Sequence, residues 1–214
     1  MQNVQAVIHA AAATPVAAPS AQVLEQINVV GTKNVLDAAL AVNVSRFIYV
    51  SSATAVFNTN ASLIDLAKPL TMPSMPYGRS KAKAENVVRD RQQQGAPISI
   101  IYPSGVIGPQ DPGFSDAFKA LYHRFNHGFR LFDEGGIQQV DVRDVAALMT
   151  SIIVNGESHQ ALARHLIVGH YLSWVEQADL IDRVSGHSLQ RLPMAGWKMR
   201  LLGRLFDLVR IIKK

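Results

Sequence analysis

Three short apolar runs stand out along the first hundred residues. They are AVIHAAA (6–12), RFIYVSS (46–52) and ISIIYP (98–103). Each run is apolar at consecutive positions, which is typical of parallel strands buried on both faces. The pattern therefore predicts three buried strands, and the small residues that end the first run predict a loop after it.

Two segments with helical spacing separate these runs. The first begins at Ser20, a residue type that caps helix N-termini, and extends to Ala41. The second covers Tyr77 to about Gln94, and Gly95 follows it. Strand, helix, strand, helix, strand is the order of a doubly wound sheet, because parallel strands joined by helices require right-handed crossovers. We therefore predict an α/β fold with a Rossmann-like doubly wound parallel sheet.

The pattern is looser in the rest of the chain. Residues 54–76 predict a loop, GPQDPG (108–113) a turn, Ser115–His127 a helix, DEGG (133–136) a hairpin turn, and residues 140–153 a helix with Asp141 and Asp144 near its start. We predict a partial dinucleotide-binding core over 1–150, in which 110–135 contribute to a substrate-binding lobe. Residues 151–214 then form the rest of this small C-terminal lobe and a helical tail.

Charge changes this picture little, because the net charge of +5 lies in the tail. Residues 196–214 contain six basic residues and one acidic residue, and the other 195 residues contain fifteen of each sign. A balanced body argues against a groove that tracks phosphates, so we expect no nucleic-acid partner. The apolar stripe of Leu201, Leu205, Leu208 and Ile212 is better explained by a helix packed on its own lobe than by contact with a membrane surface.

The chain has no cysteine, and no apolar stretch approaches the roughly 20 residues that cross a bilayer. A cysteine-free chain fits a reducing compartment, so we expect a cytoplasmic location. His123 and His127 lie one helical turn apart, but no further ligand cluster accompanies them, and we expect no metal site.

Tyr77 and Lys81 form the combination with the clearest chemical use. They are four residues apart on a predicted helix and therefore share one face. A fixed positive charge favours the phenolate, so Tyr77 would exchange a proton with an alcohol or ketone while hydride moves. Ser52, at the end of the second strand, would stabilise the developing charge. The alternative interpretations are a solvated helix face for the pair and a simple strand end for Ser51 and Ser52.

Six segments carry a resemblance to a known family. They are VIHAAA, NVVGTKNVLDAA, RFIYVSS, YGRSK, YPSGVIGP and VDVRDVA, in order from about Val7 to Val145. In this order and spacing the chain resembles the extended short-chain dehydrogenase/reductase family, also called the NAD-dependent epimerase/dehydratase family.

The resemblance implies roles for particular residues. Ser52, Tyr77 and Lys81 would be the catalytic triad, and Tyr77 and Lys81 would also contact an NAD or NADP cofactor, Lys81 through the nicotinamide ribose. The other cofactor-binding positions would be Ala10, Ala11, Asn28, Pro103 and Ser104. Gly31 is consistent with this match if it marks close helix packing. The family also suggests a homodimer.

Two departures from the family pattern limit these implications. The first glycine of the chain is Gly31, so the family's opening strand and glycine-rich phosphate-binding turn have no counterpart. We therefore expect an N-terminally truncated sheet that binds the cofactor weakly. Gly105 stands where sugar-nucleotide enzymes carry asparagine, and Phe57-Asn58 stands where they carry an aromatic-glycine pair, which favours a small apolar substrate.

Three hypotheses follow for function. The first is an oxidoreductase that moves hydride between NAD(P) and a ketone or secondary alcohol. The second is a nucleotide-sugar epimerase or dehydratase. The third is a non-catalytic binding or regulatory remnant, because the phosphate-binding turn is missing from the 214 residues.

Overall fold

Strands and helices alternate along the chain in the computed structural model. The structure describes residues 3–14, 20–58, 61, 63–111, 113, 115–132, 134–156, 163–198, 201 and 203. The strands are β1 (Ala6–His9), β2 (Arg46–Val50), β3 (Ile98–Pro103), β4 (Gly105–Ile107), β5 (Phe129–Phe132), β6 (Gly136–Asp141), β7 (Arg164–Ile167), β8 (His170–Ser173) and β9 (Arg191–Met194). The helices are α1 (Ala21–Glu25), a π-helical turn (Gln26–Val30), α2 (Gly31–Ala41), α3 (Ala53–Val56), α4 (Pro76–Gln93), α5 (Asp116–His127), α6 (Val142–Asn155) and α7 (Trp174–Ser185).

Two compact units divide these elements. The first comprises residues 1–108 and 140–169, and the second comprises residues 109–139 and 170–214. Strand β6 spans the division, because its last two residues belong to the first unit. Residues 110–135 fall in the second unit. The substrate-lobe role predicted for part of that unit stays a prediction.

A four-stranded parallel sheet is the centre of the first unit. Its strand order is β1-β2-β3-β7, and all three pairs are parallel. In register, Ile48 lies between Ile8 of β1 and Ser99 of β3. The predicted α/β fold with a Rossmann-like parallel sheet is thereby confirmed.

Helices cover both faces of this sheet. Phe47 and Tyr49 of β2 pack with buried residues of α2 and α4 on one face. Ile48, which lies between them, packs with Val145 and Ile152 of α6 on the other face. Successive side chains of a strand point to opposite faces, so one continuous apolar run supplies both cores. This explains why the sequence showed no alternation in these strands.

Strand β1 is more exposed than predicted. Ile8 is 44% exposed, and only His9 of its four residues is fully buried. Among the described strands β1 has a single neighbour, β2, because it lies at the end of the strand order. An edge position leaves one row of backbone groups and part of the side chains uncovered. The prediction of a fully buried strand is therefore wrong for β1 and right for β3, whose six residues are all buried.

The second unit has its own small core. Phe129 of β5 packs with Ala178 of α7 and Leu189. Strand β5 pairs with β9 in parallel, and β6 pairs with β8 antiparallel. Ser173 caps α7, and Glu176 completes a capping box with it.

The hairpin predicted at 133–136 is wrong for the described residues. Strands β5 and β6, on either side of this turn, belong to different sheets. Asp133 itself lies outside the described residues. Gly135 has φ of +90°, a conformation that glycine adopts without cost and that is compatible with a turn between the two strands.

Three other local predictions also need correction. The helix from Ser20 to Ala41 is interrupted by the π-helical turn, although Ser20 does cap it by accepting a hydrogen bond from Val23 N. The predicted loop over 54–76 contains α3 at its start. Val140 belongs to β6, and α6 begins after Asp141, which caps it as an acidic residue at that position should.

The apolar C-terminal stripe lies almost wholly outside the described residues. Leu201 is described, whereas Leu205, Leu208 and Ile212 are not. Its predicted helix therefore stays a prediction. Within the described ranges, no helix combines the length and the apolarity that a bilayer crossing requires.

Two glycines of the first unit provide a test of packing. A Cβ on Gly31 would meet no described atom within 4 Å, so the close packing predicted for Gly31 is wrong. A Cβ on Gly78 would lie 2.9 Å from Cβ of Pro73. The proline ring is rigid, so an added methyl group there forces the preceding segment to move.

We predict opposite effects of alanine at these two glycines. Gly31→Ala should stabilise the protein by about 0.5–1 kcal/mol, because alanine loses less backbone entropy in a helix. Gly78→Ala should destabilise it by about 1 kcal/mol or more through overpacking. Urea unfolding of both variants measures the difference. Equal effects of the two substitutions would contradict the packing described here.

Candidate active site

The carboxyl ends of the parallel strands bring most of the predicted site residues to one edge of the sheet. Ala10 and Ala11 directly follow β1, Ser52 follows β2, and Pro103 ends β3. In open α/β sheets this edge is where ligands bind. Ala10 and Ala11 are exposed there, whereas Pro103 is buried.

Asn28 ties the loop after β1 to helix α4. Its side chain is buried in the π-helical turn, and its Oδ1 accepts a hydrogen bond from Ala13 N at 2.7 Å. Its Nδ2 donates to Ala13 O at 3.1 Å and to Ser80 Oγ at 2.9 Å. A π-helical turn inside a helix often marks a functional site. Here it contains the residue that joins the two segments.

Tyr77 lies in the first turn of α4. Pro76 occupies the start of this helix, where its missing N–H costs nothing. The carbonyl of Tyr77 accepts a hydrogen bond from Ser80 Oγ at 2.8 Å, so the same serine contacts both Asn28 and Tyr77. Burial raises the pKa of Tyr49, the charge of Glu85 raises it further, and Tyr77 acts on that pKa in the same direction. These contacts fix the first turn of α4 beside the site.

Lys81 is buried one helical turn further along α4. Its ammonium donates to Val50 O at 2.9 Å and lies 4.7 Å from the ring centroid of Tyr49, a cation–π distance. Burial lowers the pKa of Lys81 to about 8, and the negative charge of Glu85 opposes this shift. Lys81 is therefore mostly protonated at neutral pH, as a lysine that favours a phenolate must be.

The two serines at the end of β2 have different surroundings. Ser51 is buried and donates to Glu85 Oε2 at 2.5 Å. Ser52 is half-buried, and its Oγ accepts from Thr54 N at 3.2 Å and shares a hydrogen bond with Thr54 Oγ1 at 2.8 Å. Ser52 thus caps α3, while Ser51 faces the helix that carries Lys81.

The backbone N–H and the hydroxyl of Ser104 both donate to the end of strand β7 or to the residue after it. Its N–H donates to Ile167 O at 3.1 Å, and its hydroxyl donates to Val168 O at 2.9 Å. The cofactor role predicted for Pro103 and Ser104 would therefore fall to other atoms of these residues.

Sequence reasoning missed the polar contacts of His9, the last residue of β1. His9 Nε2 hydrogen-bonds with Thr32 Oγ1 at 3.0 Å, and its ring stacks on Tyr49 at 5.9 Å. Burial lowers the pKa of His9, and the charge of Lys81 lowers it further. The available signal was a histidine within an apolar strand, because a buried polar group needs a partner.

A second missed group surrounds Glu85. Its Oε1 accepts from Arg89 Nε at 2.7 Å and from the hydroxyl of Tyr102 at 2.8 Å. Glu85 and Tyr102 are fully buried, and Arg89 nearly so. The available signal was the spacing, since Lys81, Glu85 and Arg89 follow one another at intervals of four on one helix face.

His123 and His127 stack on one another at 4.3 Å on the exposed surface of α5. Among the described residues, no three ligand-type side chains come close enough to hold a metal ion.

Comparison with known proteins gives consistent matches. The model of an NAD-binding family described as "Male sterility protein" matches residues 1–132. Sterol demethylase protein B of Methylococcus capsulatus is 27% identical over 97% of this chain. The sterol-4-alpha-carboxylate 3-dehydrogenase of Schizosaccharomyces pombe is 32% identical over 59% of this chain, and the UDP-glucose 4-epimerase of Vibrio cholerae is 26% identical over 100% of this chain.

Solved structures share the fold. The crystal structure of gox2253 has a TM-score of 0.80 at 22% identity and covers 97% of this chain. The structure of RMD from Pseudomonas aeruginosa complexed with NADPH has a TM-score of 0.70 at 25% identity and covers 89%. This chain spans 63% of the gox2253 chain and 69% of the RMD chain. This chain also spans 63% of the length of sterol demethylase protein B, 39% of the sterol-4-alpha-carboxylate 3-dehydrogenase and 67% of the UDP-glucose 4-epimerase.

The buried Lys81 predicts that stability rises with pH above about 8. The folded chain releases this proton near pH 8, whereas an unfolded lysine keeps it to about 10.5. Between these values the unfolded state binds more protons, so the free energy of unfolding increases, by up to about 1.4 kcal/mol per pH unit. Below pH 8 both states are protonated, and Lys81 contributes no slope.

Urea unfolding between about pH 7 and about pH 10 measures this rise. Lys81→Met should remove it, whereas Lys119→Met, at an exposed position, should leave it in place. A rise that persists in Lys81→Met would show that another group causes it.

Proposed function

The chain belongs to the extended short-chain dehydrogenase/reductase family, also called the NAD-dependent epimerase/dehydratase family, and on that premise we propose that it is an NAD(P)-dependent oxidoreductase. The reaction would move hydride between the nicotinamide cofactor and a ketone or secondary alcohol of a small apolar substrate. One observation carries the proposal. Lys81, buried and mostly protonated at neutral pH, lies one turn after Tyr77, at the sheet edge where Ser52 follows β2.

Tyr77 is the proposed acid and base. Its phenol would give a proton to the substrate oxygen in reduction and take one from it in oxidation. The ammonium of Lys81 favours the phenolate over the phenol, because an opposite charge stabilises the ionised form. Ser52 would donate its hydroxyl to the oxygen on which charge develops. Its present partner, Thr54, lies two residues away in a four-residue helix, so only a local exchange of hydrogen bonds is needed.

A bound nicotinamide cofactor supplies or accepts the hydride. The residues present would hold the nicotinamide half of such a molecule. The exposed backbone at Ala10 and Ala11, which Asn28 anchors through Ala13, would lie along it, and Lys81 would bond its ribose. The 214 residues offer no glycine-rich turn for the pyrophosphate, since their first glycine is Gly31.

The relatives favour an apolar substrate. Sterol enzymes match this chain at 27% and 32% identity. Gly105 and Phe57-Asn58 favour the same branch of the family. We therefore place the substrate among ketones and alcohols of sterol-like or flavonoid-like molecules. The homodimer and the cytoplasmic location stay predictions.

A second candidate is action on a nucleotide sugar. The observation that favours it is the UDP-glucose 4-epimerase of Vibrio cholerae, which matches over the whole of this chain. Micromolar binding of UDP-sugars by an active preparation, without turnover of sterol-like ketones, would select this function.

A third candidate is binding or regulation without chemistry. It is motivated by the lack of a glycine-rich turn in these 214 residues. The sheet and its edge would then serve as a binding scaffold, and substitution of Tyr77 would have no effect on the function.

We predict that Tyr77→Phe abolishes most of the turnover. Removal of a general acid or base typically costs about 10²- to 10⁴-fold, and kcat should fall by that factor while KM changes little. Nicotinamide absorbance with a panel of sterol-like ketones and alcohols measures this in an active preparation, either of the 214 residues or of a longer chain containing them. Tyr122→Phe, which alters an exposed tyrosine, is the control. Unchanged turnover in Tyr77→Phe would rule out the mechanism.

We also predict that the 214-residue chain binds NADH and NADPH weakly by itself. The pyrophosphate is normally held by backbone amides at a helix N-terminus, and each lost charge-assisted hydrogen bond costs roughly 1.5–3 kcal/mol. An affinity of about 1 µM would then weaken to about 1 mM or beyond. Calorimetric titration of the purified chain measures the affinity. Micromolar binding by a monomer would show that the glycine-rich turn is dispensable here.

A further inference from the structure

Glu85 is a buried carboxylate to which the proposed mechanism gives no role. It is fully buried on α4, one turn after Lys81. It accepts hydrogen bonds from three side chains on three elements: Ser51 after β2, Tyr102 of β3 and Arg89 of α4. A buried carboxylate is tolerated only when it is paired and hydrogen-bonded, and this one is both.

Two charged side chains of α4 hold consecutive residues at the end of β2. Lys81 donates to Val50 O at 2.9 Å, and Glu85 accepts from Ser51 Oγ at 2.5 Å. Ser51 N also donates to Ile101 O of β3 at 2.8 Å. The next residue is Ser52, whose hydroxyl takes part in the proposed reaction. The position of Ser52 therefore depends on both charged residues.

Glu85 is also the negative charge that acts on Lys81. Burial lowers the pKa of Lys81 to about 8, and Glu85 is the charge that raises it. From β1, His9 faces the same ammonium, and burial and Lys81 both lower the pKa of His9. From β2, the face of Tyr49 lies over the ammonium at 4.7 Å. Removal of the carboxylate would take away the negative charge that opposes the effect of burial on Lys81.

The cations near Glu85 lie on two elements. Arg89 of α4 forms a direct ion pair with it. The charge of Glu85 also acts on Arg164 of β7. Burial lowers the pKa of Arg164, and Glu85 opposes this shift.

We propose that Glu85 is a positioning residue of the proposed reaction, which fixes Ser51 beside Ser52 and keeps the ammonium of Lys81 charged. This inference rests on the proposed function. Glu85 touches neither substrate nor cofactor in this role. It acts through Ser51 and Lys81.

The test compares Glu85→Gln with Tyr102→Phe in urea unfolding from about pH 6 to about pH 10. Glu85→Gln removes the charge, so the rise in stability that Lys81 causes should begin about one pH unit lower, a tenfold loss in proton affinity. Tyr102→Phe removes one hydrogen bond to Glu85 but keeps its charge. It should lower stability and leave the start of the rise unchanged.

Further variants keep the test decisive. Lys81→Met in the Glu85→Gln background should abolish the rise. If Glu85→Gln leaves Arg89 buried without a counter-charge and does not fold, the double variant E85Q/R89Q carries the same comparison. A rise that begins at the wild-type pH in the variants lacking Glu85 would overturn the proposal.

Turnover supplies an independent measurement in an active preparation. The alkaline decline of kcat should move down by the same pH unit in Glu85→Gln, while Glu85→Asp, which keeps the charge, should retain the wild-type pH profile. A shift in the unfolding curves without this shift in kcat would overturn the role in the reaction. Failure of the proposed function itself is recognised separately, because Tyr77→Phe would then leave turnover unchanged while the unfolding curves still report on Glu85 and Lys81.

Discussion

The burial of two opposite charges on one face of helix α4 is the constraint on which the site depends. Lys81 and Glu85 are both removed from water, and an unpartnered charge in that position would cost several kcal/mol. Each is satisfied by the end of β2, through Val50 O and Ser51 Oγ. The helix is thereby tied to the sheet at the point where the candidate chemistry lies.

Parallel pairing supplies the rest of the geometry. Because β1, β2 and β3 run in the same direction, the loops that follow them meet at one edge. Asn28 then links the first of these loops to α4 with three hydrogen bonds. Two backbone groups and one serine side chain are satisfied by a single buried amide. A rigid edge of this kind suits a site that must hold a cofactor and a substrate in fixed positions.

The proposed redox chemistry and the epimerase alternative would both use this sheet edge. The sterol enzymes and the epimerase both match this chain in sequence, so the similarity does not choose between them. Under the proposed function, the choice depends on the substrate that the site binds. The candidate triad would serve either chemistry, since in both a proton is exchanged at a substrate oxygen while hydride moves at the carbon that carries it.

The sequence alone determined the parallel sheet, because uninterrupted apolar runs such as ISIIYP are stable only as strands covered on both faces. It also determined Tyr77 and Lys81 as a pair, since four-residue spacing on a helix places them on one face whatever surrounds it. Ser20 was predicted as a cap for the same local reason. These features depend on neighbours within a few residues along the chain.

Only the tertiary structure decided which serine faces which partner. Ser51 and Ser52 are equivalent in sequence, but adjacent residues of an extended chain point to opposite sides, so Ser51 meets Glu85 and Ser52 meets Thr54. The exposure of β1, the π-helical turn at Asn28 and the contacts of Glu85 with Ser51 and Tyr102 were likewise not predicted from the sequence. Each depends on residues far apart in the chain, and a buried polar group has no local signature until its partner is brought to it by folding.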